Sequence, residues 1–274
     1  MQTINELKVH AQNMRKNIIK MVATAQSGHP GGSLSGVELL VWLYFNEMNI
    51  DKNNVATTDR DRFVLSKGHA SPLLYAVLAE KGFIPEDELA TFRAIDSRLQ
   101  GHPNMTYVDG IDMTTGSLGQ GLSAAIGMAL ANKIDNNQHR VYAMIGDGES
   151  QEGQIWEALM AAPNFKLDNL CVILDFNGLQ IDGDITKVMN PTPFVEKYKA
   201  FRWHTIEIDG HDLKQIEKAF AEAKTIKDQP TIIVAHTVKG KGVSYMENEA
   251  GWHGSAPNPE QTQQALAEIE GVQK

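Results

Sequence analysis

An aspartate between two glycines is the first feature of the chain that could do chemistry. Asp147 lies between Gly146 and Gly148, directly after the apolar run 141–145, and Asn177 follows a second apolar run thirty residues later. Flanking glycines permit a tight turn and let a bulky anion approach the backbone closely. Carboxylate and amide oxygens suit a hard cation such as Mg²⁺, and Ca²⁺ or Mn²⁺ would accept the same donors. Taken alone, the tripeptide is better explained by an ordinary strand-to-helix turn.

The separation of the two residues along the chain strengthens the case for a site. Thirty residues is about what a strand, a crossover helix and the next parallel strand require. Asp147 and Asn177 would then stand side by side at the carboxyl edge of one sheet, where ligands bind in such folds. A single carboxylate is too little charge to hold a divalent cation tightly. We therefore expect diphosphate oxygens and a water to complete its coordination.

Apolar patterns show which elements must position these residues. Helical spacing covers the segments 7–25, 36–45, 73–81, 119–134 and 213–223, and a further helix begins near Gln154. Short runs with strand character cover 62–65, 141–145, 170–174, 204–208 and 231–235. Most of these runs lack polar alternation, which predicts strands that are covered on both faces. The pattern indicates an α/β fold with a mostly parallel, doubly wound sheet and helices on both faces.

Composition limits the class of protein. The 274 residues are 42% hydrophobic and 22% charged, as in globular chains with a large core. We expect a single domain over 1–274, with 255–274 as a C-terminal extension whose helix starts at Asn258 and Pro259. The 25 basic residues are scattered among 34 acidic ones, giving a net charge of −9, which argues against nucleic acid as a partner.

Nothing in the sequence indicates a membrane or secretory protein. No apolar stretch approaches the roughly 20 residues that a spanning helix needs, and the N-terminal segment lacks the features of a signal peptide. The single cysteine, Cys171, lies in an apolar run and is expected to be buried and inert. These features predict a cytoplasmic location.

Four histidines lie beside glycines in polar loops, namely His29, His69, His102 and His253. Imidazole can donate and accept protons near neutral pH, which suits sugar hydroxyls and a carbonyl that becomes an alkoxide. For any single pair of this kind, an ordinary loop hydrogen bond is the better explanation. Lys239 and Lys241 could contact a phosphate or lie in a solvated loop. His211 is better explained by a turn in which Asp212 caps a helix.

The motifs together resemble transketolase. The Gly-Asp-Gly turn and the later asparagine are similar to its thiamine diphosphate signature, and the flanking segments 151–153, 157–158 and 181–183 match as well. The resemblance runs through SGHPGGSLS, LSKGHASPLLY, GHPN, TTGSLGQGLSAAIGMALA, HTVKGKGVSYMEN and WHGSAPN. It is to the N-terminal, diphosphate-binding (PP-type) portion of the enzyme. HTVKGKG and WHGSAPN look most like the split transketolases, in which the pyrimidine-binding portion is a separate chain.

The resemblance assigns roles to individual residues. It implies that Asp147, Asn177 and the carbonyl of Leu179 bind Mg²⁺, and that Gly148 donates its N–H to thiamine diphosphate. Further cofactor contacts are implied for His69, Gly116, Ser117, Leu118, Gly146, Glu149 and Glu152, with Gly116 and Leu118 facing the aminopyrimidine. The four matching histidine positions, His29, His69, His102 and His253, imply catalytic residues that line the substrate channel.

The implied activity is transfer of a two-carbon ketol unit from a ketose phosphate to an aldose phosphate. A C-terminal transketolase subunit would supply the carboxylate that activates the aminopyrimidine and the arginines that hold the sugar phosphate, in an α2β2 assembly. One alternative is a ketol transferase specialised for an unusual sugar phosphate. Another is a non-catalytic regulatory subunit, against which the four intact histidines argue. 1-Deoxyxylulose-5-phosphate synthases and 2-oxoacid dehydrogenase α subunits share the metal motif but lack this set of Gly-His loops.

Overall fold

A sheet of five parallel strands forms the centre of the computed structural model, which describes residues 1–271. The strands in chain order are β1 Arg62–Leu65, β2 Val141–Gly146, β3 Leu170–Phe176, β4 Leu179–Gln180, β5 Gly183–Asp184, β6 His204–Asp209 and β7 Thr231–His236. The central sheet has the order β1-β2-β3-β7-β6, and β4 pairs with β5 in a small antiparallel hairpin. The predicted parallel sheet is confirmed. Residues 272–274 of the predicted extension lie outside the described residues.

Helices connect the strands. Within residues 1–271 they are α1 Ile4–Ala25, α2 Pro30–Leu34, α3 Val37–Trp42, α4 Ser71–Glu80, α5 Gln120–Ile134, α6 Gly153–Asn164, α7 Ile185–Val188, α8 Phe194–Ala200, α9 Leu213–Thr225 and α10 Pro259–Glu270. Polar caps begin several of them where the sequence predicts. Asp212 accepts hydrogen bonds from the first turn of α9, and Asn258 forms a capping box with Gln261 at α10.

Both faces of the sheet are covered. Along β2, Tyr142 and Met144 pack into a hydrophobic cluster with α1, α3, α4 and α9. The alternate residues Val141, Ala143 and Ile145 pack into a second cluster with α5, α6 and α8. Since each face is buried, every position of β2 is apolar or glycine, which is why the predicted strands show no alternation. The doubly wound arrangement is therefore confirmed.

One predicted helix is wrong in its extent. The segment 36–45 does not form one helix, because α2 ends at Leu34, α3 covers only Val37–Trp42, and a π-helical turn follows at Leu43–Glu47. Gly36, at the junction of α2 and α3, packs so closely that an added Cβ would lie 2.8 Å from the Leu73 side chain. The other predicted helices agree with the structure within three residues at each end, and the strands within two.

The predictions for Cys171 and His211 are confirmed. Cys171 is fully buried, and burial raises the pKa of its thiol to about 12, so it stays protonated. The His211 ring joins Glu38 through Nδ1 at 2.9 Å and accepts from the backbone N–H of Val238 through Nε2 at 2.9 Å. No helix among residues 1–271 combines the length and hydrophobicity that crossing a membrane requires.

Candidate active site

The carboxyl ends of β2 and β3 carry the predicted metal ligands. The two strands are neighbours, and Gly146 lies opposite Asp175 in their register. Asp147 and Asn177 therefore follow at the same edge of the sheet, and both line one cavity of about 360 Å³ together with Leu179. The structure thus brings together three residues that the sequence places in two separate loops.

Asp147 is a buried carboxylate that receives hydrogen bonds from backbone groups alone. Its side chain accepts from the N–H of Gly148 at 2.7 Å and from the N–H of Gly178 at 2.5 Å, and the residue is 2% exposed. Burial, reinforced by the nearby Asp175 carboxylate, raises the pKa of Asp147 to about 7. A cation beside Asp147 would offset both effects and favour its ionised form.

Asn177 and Leu179 offer two neutral oxygens beside Asp147. Asn177 Oδ1 accepts from the N–H of Leu179 at 3.2 Å, and the carbonyl of Leu179 accepts from Lys239 Nζ at 3.2 Å. Each oxygen has a second lone pair. One carboxylate and two neutral oxygens form a hard donor set that fits Mg²⁺. No cluster of three or more His, Cys, Asp or Glu within residues 1–271 could hold a metal, so these donors fit a cation that is shared with a diphosphate.

Gly148 leaves space for an anion at this turn. A Cβ at Gly148 would lie 3.2 Å from Gln180 Cβ, so a side chain there would crowd the hairpin β4–β5. The cavity wall also includes Gly146, Leu118 and Glu152, three of the residues predicted to contact the cofactor. Ser117, another predicted cofactor contact, is exposed and lies outside the lining. These cofactor contacts remain predictions.

Glu149 lines the cavity but uses both carboxylate oxygens within the protein. Oε1 accepts from Ser66 Oγ at 2.6 Å and from the N–H of Gly119 at 2.9 Å, and Oε2 accepts from the N–H of Gly146 at 3.0 Å. These bonds join the loop after β1, the start of α5 and the end of β2. Glu149 therefore holds the cavity wall in place, a role that the sequence did not indicate.

Three of the four predicted histidines meet at the opposite side of the cavity. The ring centroids of His29 and His69 are 5.2 Å apart, those of His69 and His253 are 5.1 Å apart, and those of His29 and His253 are 5.4 Å apart. All three line the cavity. His29 Nδ1 is buried and has no hydrogen-bond partner within the described residues, so a ligand group in the cavity could bind it.

The three imidazoles are neutral at pH 7. Burial, followed by the charge of Arg93, lowers the pKa of His29 to about 4. Burial also lowers the pKa of His253 to about 3, with a contribution from Lys239, and holds the pKa of His69 well below its ordinary value. A neutral imidazole has one N–H donor and one bare nitrogen, so each ring can both give and take a proton.

This cluster predicts a loss of stability in mild acid. A histidine whose folded-state pKa lies below its unfolded value contributes its full stability above about pH 6.5 and loses it as the pH falls toward the folded value. We expect urea unfolding to show lower stability at pH 5.5 than at pH 7.5, and a smaller difference in His29→Gln. An identical pH dependence in the two proteins would contradict the neutral state of His29.

His102 lies at the rim and outside the cavity lining. Its ring covers Gly116, where an added Cβ would lie 3.0 Å from the imidazole. Burial, together with Arg93, lowers the pKa of His102, although the residue as a whole is exposed. His102 therefore does not join the other three rings, and its predicted catalytic role remains a prediction.

Gly116 offers a second test of this wall. Its φ of +146° is a backbone conformation that L residues rarely adopt, and the His102 ring blocks a side chain. We expect Gly116→Ala to lower stability by about 1–3 kcal/mol in urea unfolding, and to weaken cofactor binding because this loop lines the cavity. Gly127→Ala is the matched control, since nothing lies within 4 Å of its added Cβ. Equal stability of the two variants would contradict the strain at Gly116.

Two lysines and one aspartate of the site were not predicted as a group. Lys67 Nζ donates to Asp175 at 2.5 Å and to the carbonyl of Gly32 at 2.7 Å, and both members of the ion pair are buried. Burial by itself would raise the pKa of Asp175, but Lys67 and further hydrogen bonds hold it below its ordinary value. The Asp175 carboxylate also accepts from Ser35 and Thr237.

Lys239 is the second of these lysines, and of its two predicted settings the solvated loop is wrong. The residue is 2% exposed, and Nζ contacts His253 Nδ1 at 3.0 Å as well as the carbonyl of Leu179. Burial lowers the pKa of Lys239 to about 8. Lys241 points elsewhere and pairs with Glu247 at 3.2 Å. Lys239 thus connects the metal-ligand end of the cavity with the histidine cluster.

Comparison with known proteins agrees with this geometry. Residues 7–272 match the family model "Transketolase, thiamine diphosphate binding domain". The chain is 46% identical over 97% of its length to the 6-deoxy-6-sulfo-D-fructose transketolase subunit SqwG of Clostridium sp., and covers 96% of that protein. It is 41% identical over 97% of its length to one of the named subunits of the apulose-4-phosphate transketolase of Phocaeicola vulgatus, and covers 94% of it.

Longer relatives match over less than half of their length. The transketolase of Homo sapiens is 42% identical over 98% of this chain, which covers 42% of that protein. The crystal structure of transketolase from Campylobacter jejuni superimposes with a TM-score of 0.91 at 33% identity, over 98% of this chain and 43% of that one. The fold and the site define a thiamine diphosphate-binding domain. The chain belongs to the transketolase family.

Proposed function

We propose that this chain is the thiamine diphosphate-binding subunit of a two-subunit transketolase that transfers a two-carbon ketol unit between sugar phosphates. The observation that carries the proposal is the single cavity that the residues after β2 and β3 share with His29, His69 and His253. One end of this cavity suits a metal diphosphate, and the other end offers neutral imidazoles to a hydroxylated substrate.

The residues of the chain would divide the work between binding and proton transfer. Asp147, Asn177 and the Leu179 carbonyl would hold Mg²⁺, and Gly148 would donate its N–H to the diphosphate. When bound, thiamine diphosphate supplies the chemistry that cleaves and forms a carbon–carbon bond next to a carbonyl. The bare ring nitrogens of His29, His69 and His253 could accept a proton from a substrate hydroxyl, and their N–H groups could stabilise a developing alkoxide.

A separate chain would complete the enzyme. The two relatives that this chain covers almost entirely are named as subunits, whereas it covers less than half of the single-chain transketolases. We propose that a C-terminal transketolase subunit, with the pyrimidine-binding domain, supplies the remaining residues in an α2β2 assembly. The expected cytoplasmic location remains part of this proposal.

The test is reconstitution. The purified chain, a candidate pyrimidine-binding subunit from the neighbouring reading frame, and their mixture are assayed with a ketose phosphate donor, an aldose phosphate acceptor, thiamine diphosphate and Mg²⁺. We expect turnover in the mixture alone. Turnover by the isolated chain would contradict the two-subunit proposal. Cofactor binding without ketol transfer from any donor would instead support a non-catalytic regulatory subunit.

A substrate other than the common sugar phosphates is the second candidate. The two relatives at 46% and 41% identity are named for 6-deoxy-6-sulfo-D-fructose and apulose 4-phosphate. We propose that the reconstituted enzyme be compared on common, branched and sulfonated ketoses. A kcat/KM that is at least about tenfold higher, equivalent to 1.4 kcal/mol, for one of the unusual donors would establish this specialised function.

A further inference from the structure

A second polar cavity opens at the edge of the sheet opposite the candidate active site. It lies where β2 and β3 begin, whereas Asp147 and Asn177 lie where these strands end. Its volume is about 480 Å³, and its walls include the C-terminal ends of α5 and α9. We call it the basal cleft, and define it by Lys133, Arg140, Asp168, Asn169, Lys224 and Lys227.

The basal cleft is cationic in an acidic protein. Four of its lining side chains are Lys or Arg and one, Asp168, is acidic, although the whole chain has a formal charge of −9. Such a local reversal of sign attracts small anions.

Two of the cations are explained by the fold alone. Lys133 lies in the last turn of α5 and pairs with Asp168 at 2.8 Å, and Lys224 lies in the last turn of α9 and pairs with Glu47 at 2.9 Å. Cations at helix C-termini stabilise the helix dipole. These two lysines therefore need no ligand.

Arg140 and Asn169 are not explained in this way. Arg140 Nε and Asn169 Oδ1 are both buried, and neither has a hydrogen-bond partner within residues 1–271. The other ends of these side chains are used, since Arg140 Nη2 donates to the carbonyl of Ala223 at 3.4 Å and Asn169 Nδ2 donates to that of Ala129 at 2.9 Å. The cleft thus leaves one buried donor and one buried acceptor unsatisfied, which is rare in folded proteins.

Lys227 adds an unpaired charge at the rim. The residue is exposed, and no ion pair in the described part of the chain uses it. A ligand in the basal cleft would therefore meet two cations that have no carboxylate partner, Arg140 and Lys227, together with one free acceptor.

We propose that the basal cleft binds a small phosphate monoester that carries a hydroxyl group. The phosphate oxygens would accept from Arg140 Nε and from Lys227, since guanidinium and ammonium groups bind phosphate strongly. The hydroxyl would donate to Asn169 Oδ1. This site is separate from the candidate active site and does not depend on the activity proposed for it.

Titration calorimetry of the whole chain tests the proposal, with inorganic phosphate and glycerol 1-phosphate as probes. We expect each probe to bind at the basal cleft, with glycerol 1-phosphate the tighter of the two. Binding should weaken at least about tenfold in Arg140→Gln and about threefold in Lys227→Gln. Asn169→Ala should remove the preference for glycerol 1-phosphate.

Two control variants separate this site from general charge effects and from the active cavity. Lys218→Gln removes another exposed lysine of α9 outside the basal cleft, and Lys239→Met removes a cation of the active cavity. Both should bind the probes as wild type does. Binding that is lost in Lys239→Met and kept in Arg140→Gln would overturn the proposal, as would no binding at tens of millimolar. If Arg140→Gln fails to fold, Lys227→Gln decides, and unchanged binding in that variant overturns the site.

Discussion

Asp147→Ala is expected to abolish magnesium-dependent binding of thiamine diphosphate while the fold stays intact. Asp147 is the one carboxylate among the three proposed metal ligands, so its loss leaves two neutral oxygens for a divalent cation. We expect an affinity loss of at least about 100-fold, because even the outer partners of metal ligands contribute about 10- to 100-fold. Calorimetry with and without Mg²⁺, in the presence of the pyrimidine-binding subunit, measures this loss.

Asp182→Ala is the matched control for that experiment. Asp182 lines the same cavity but is exposed, and it is not a proposed ligand. Its removal changes the net charge by the same amount as Asp147→Ala, and we expect cofactor affinity to change less than about threefold, as for exposed charges. Thermal unfolding of both variants checks that the fold is retained. Unchanged cofactor affinity in Asp147→Ala would remove this residue from the site.

Asp175→Ala is expected to destabilise the protein by about 3–5 kcal/mol, the range found when one partner of a buried ion pair is removed. Asp175 is fully buried, and its loss leaves the Lys67 ammonium, itself 2% exposed, without a counter-charge. The hydroxyls of Ser35 and Thr237 lose their acceptor at the same time. Urea unfolding measures the change in the free energy of unfolding.

The double variant Asp175→Leu with Lys67→Met separates lost charge pairing from lost packing. Apolar residues of similar volume often replace a buried ion pair without a loss of stability. We expect the double variant to be clearly more stable than Asp175→Ala, yet to bind cofactor poorly because Asn177 Nδ2 no longer has Asp175 as its partner at 3.4 Å. A loss below about 1 kcal/mol in Asp175→Ala would show that the pair contributes little, as many exposed pairs do.

The strands and most helices follow directly from local sequence. β2 and β3 are continuous apolar runs because both of their faces are buried, and such runs are read from the sequence without knowledge of their neighbours. The spacing of Asp147 and Asn177 then gives the shared sheet edge, because one crossover connection fixes which strand ends lie together. This part of the site depends on two adjacent strands only.

The remainder of the site depends on contacts between distant segments. Lys67 and Asp175 are separated by 108 positions, and neither lies in a pattern that distinguishes a buried ion pair from two surface charges. Lys239 lies in a glycine-rich loop that resembles a solvated one, yet the packing of that loop against Gly31 buries it. His102 shares its His-Gly setting with the other three histidines, and only the path of the chain separates its ring from theirs.

The most direct test of the account is the position of the metal. Crystals of the protein soaked with thiamine diphosphate and Mn²⁺ would reveal the cation through its anomalous scattering. We predict one peak within coordination distance of Asp147, Asn177 and the Leu179 carbonyl, with the cofactor diphosphate beside it. A bound cofactor whose metal lies away from these three oxygens would contradict the account.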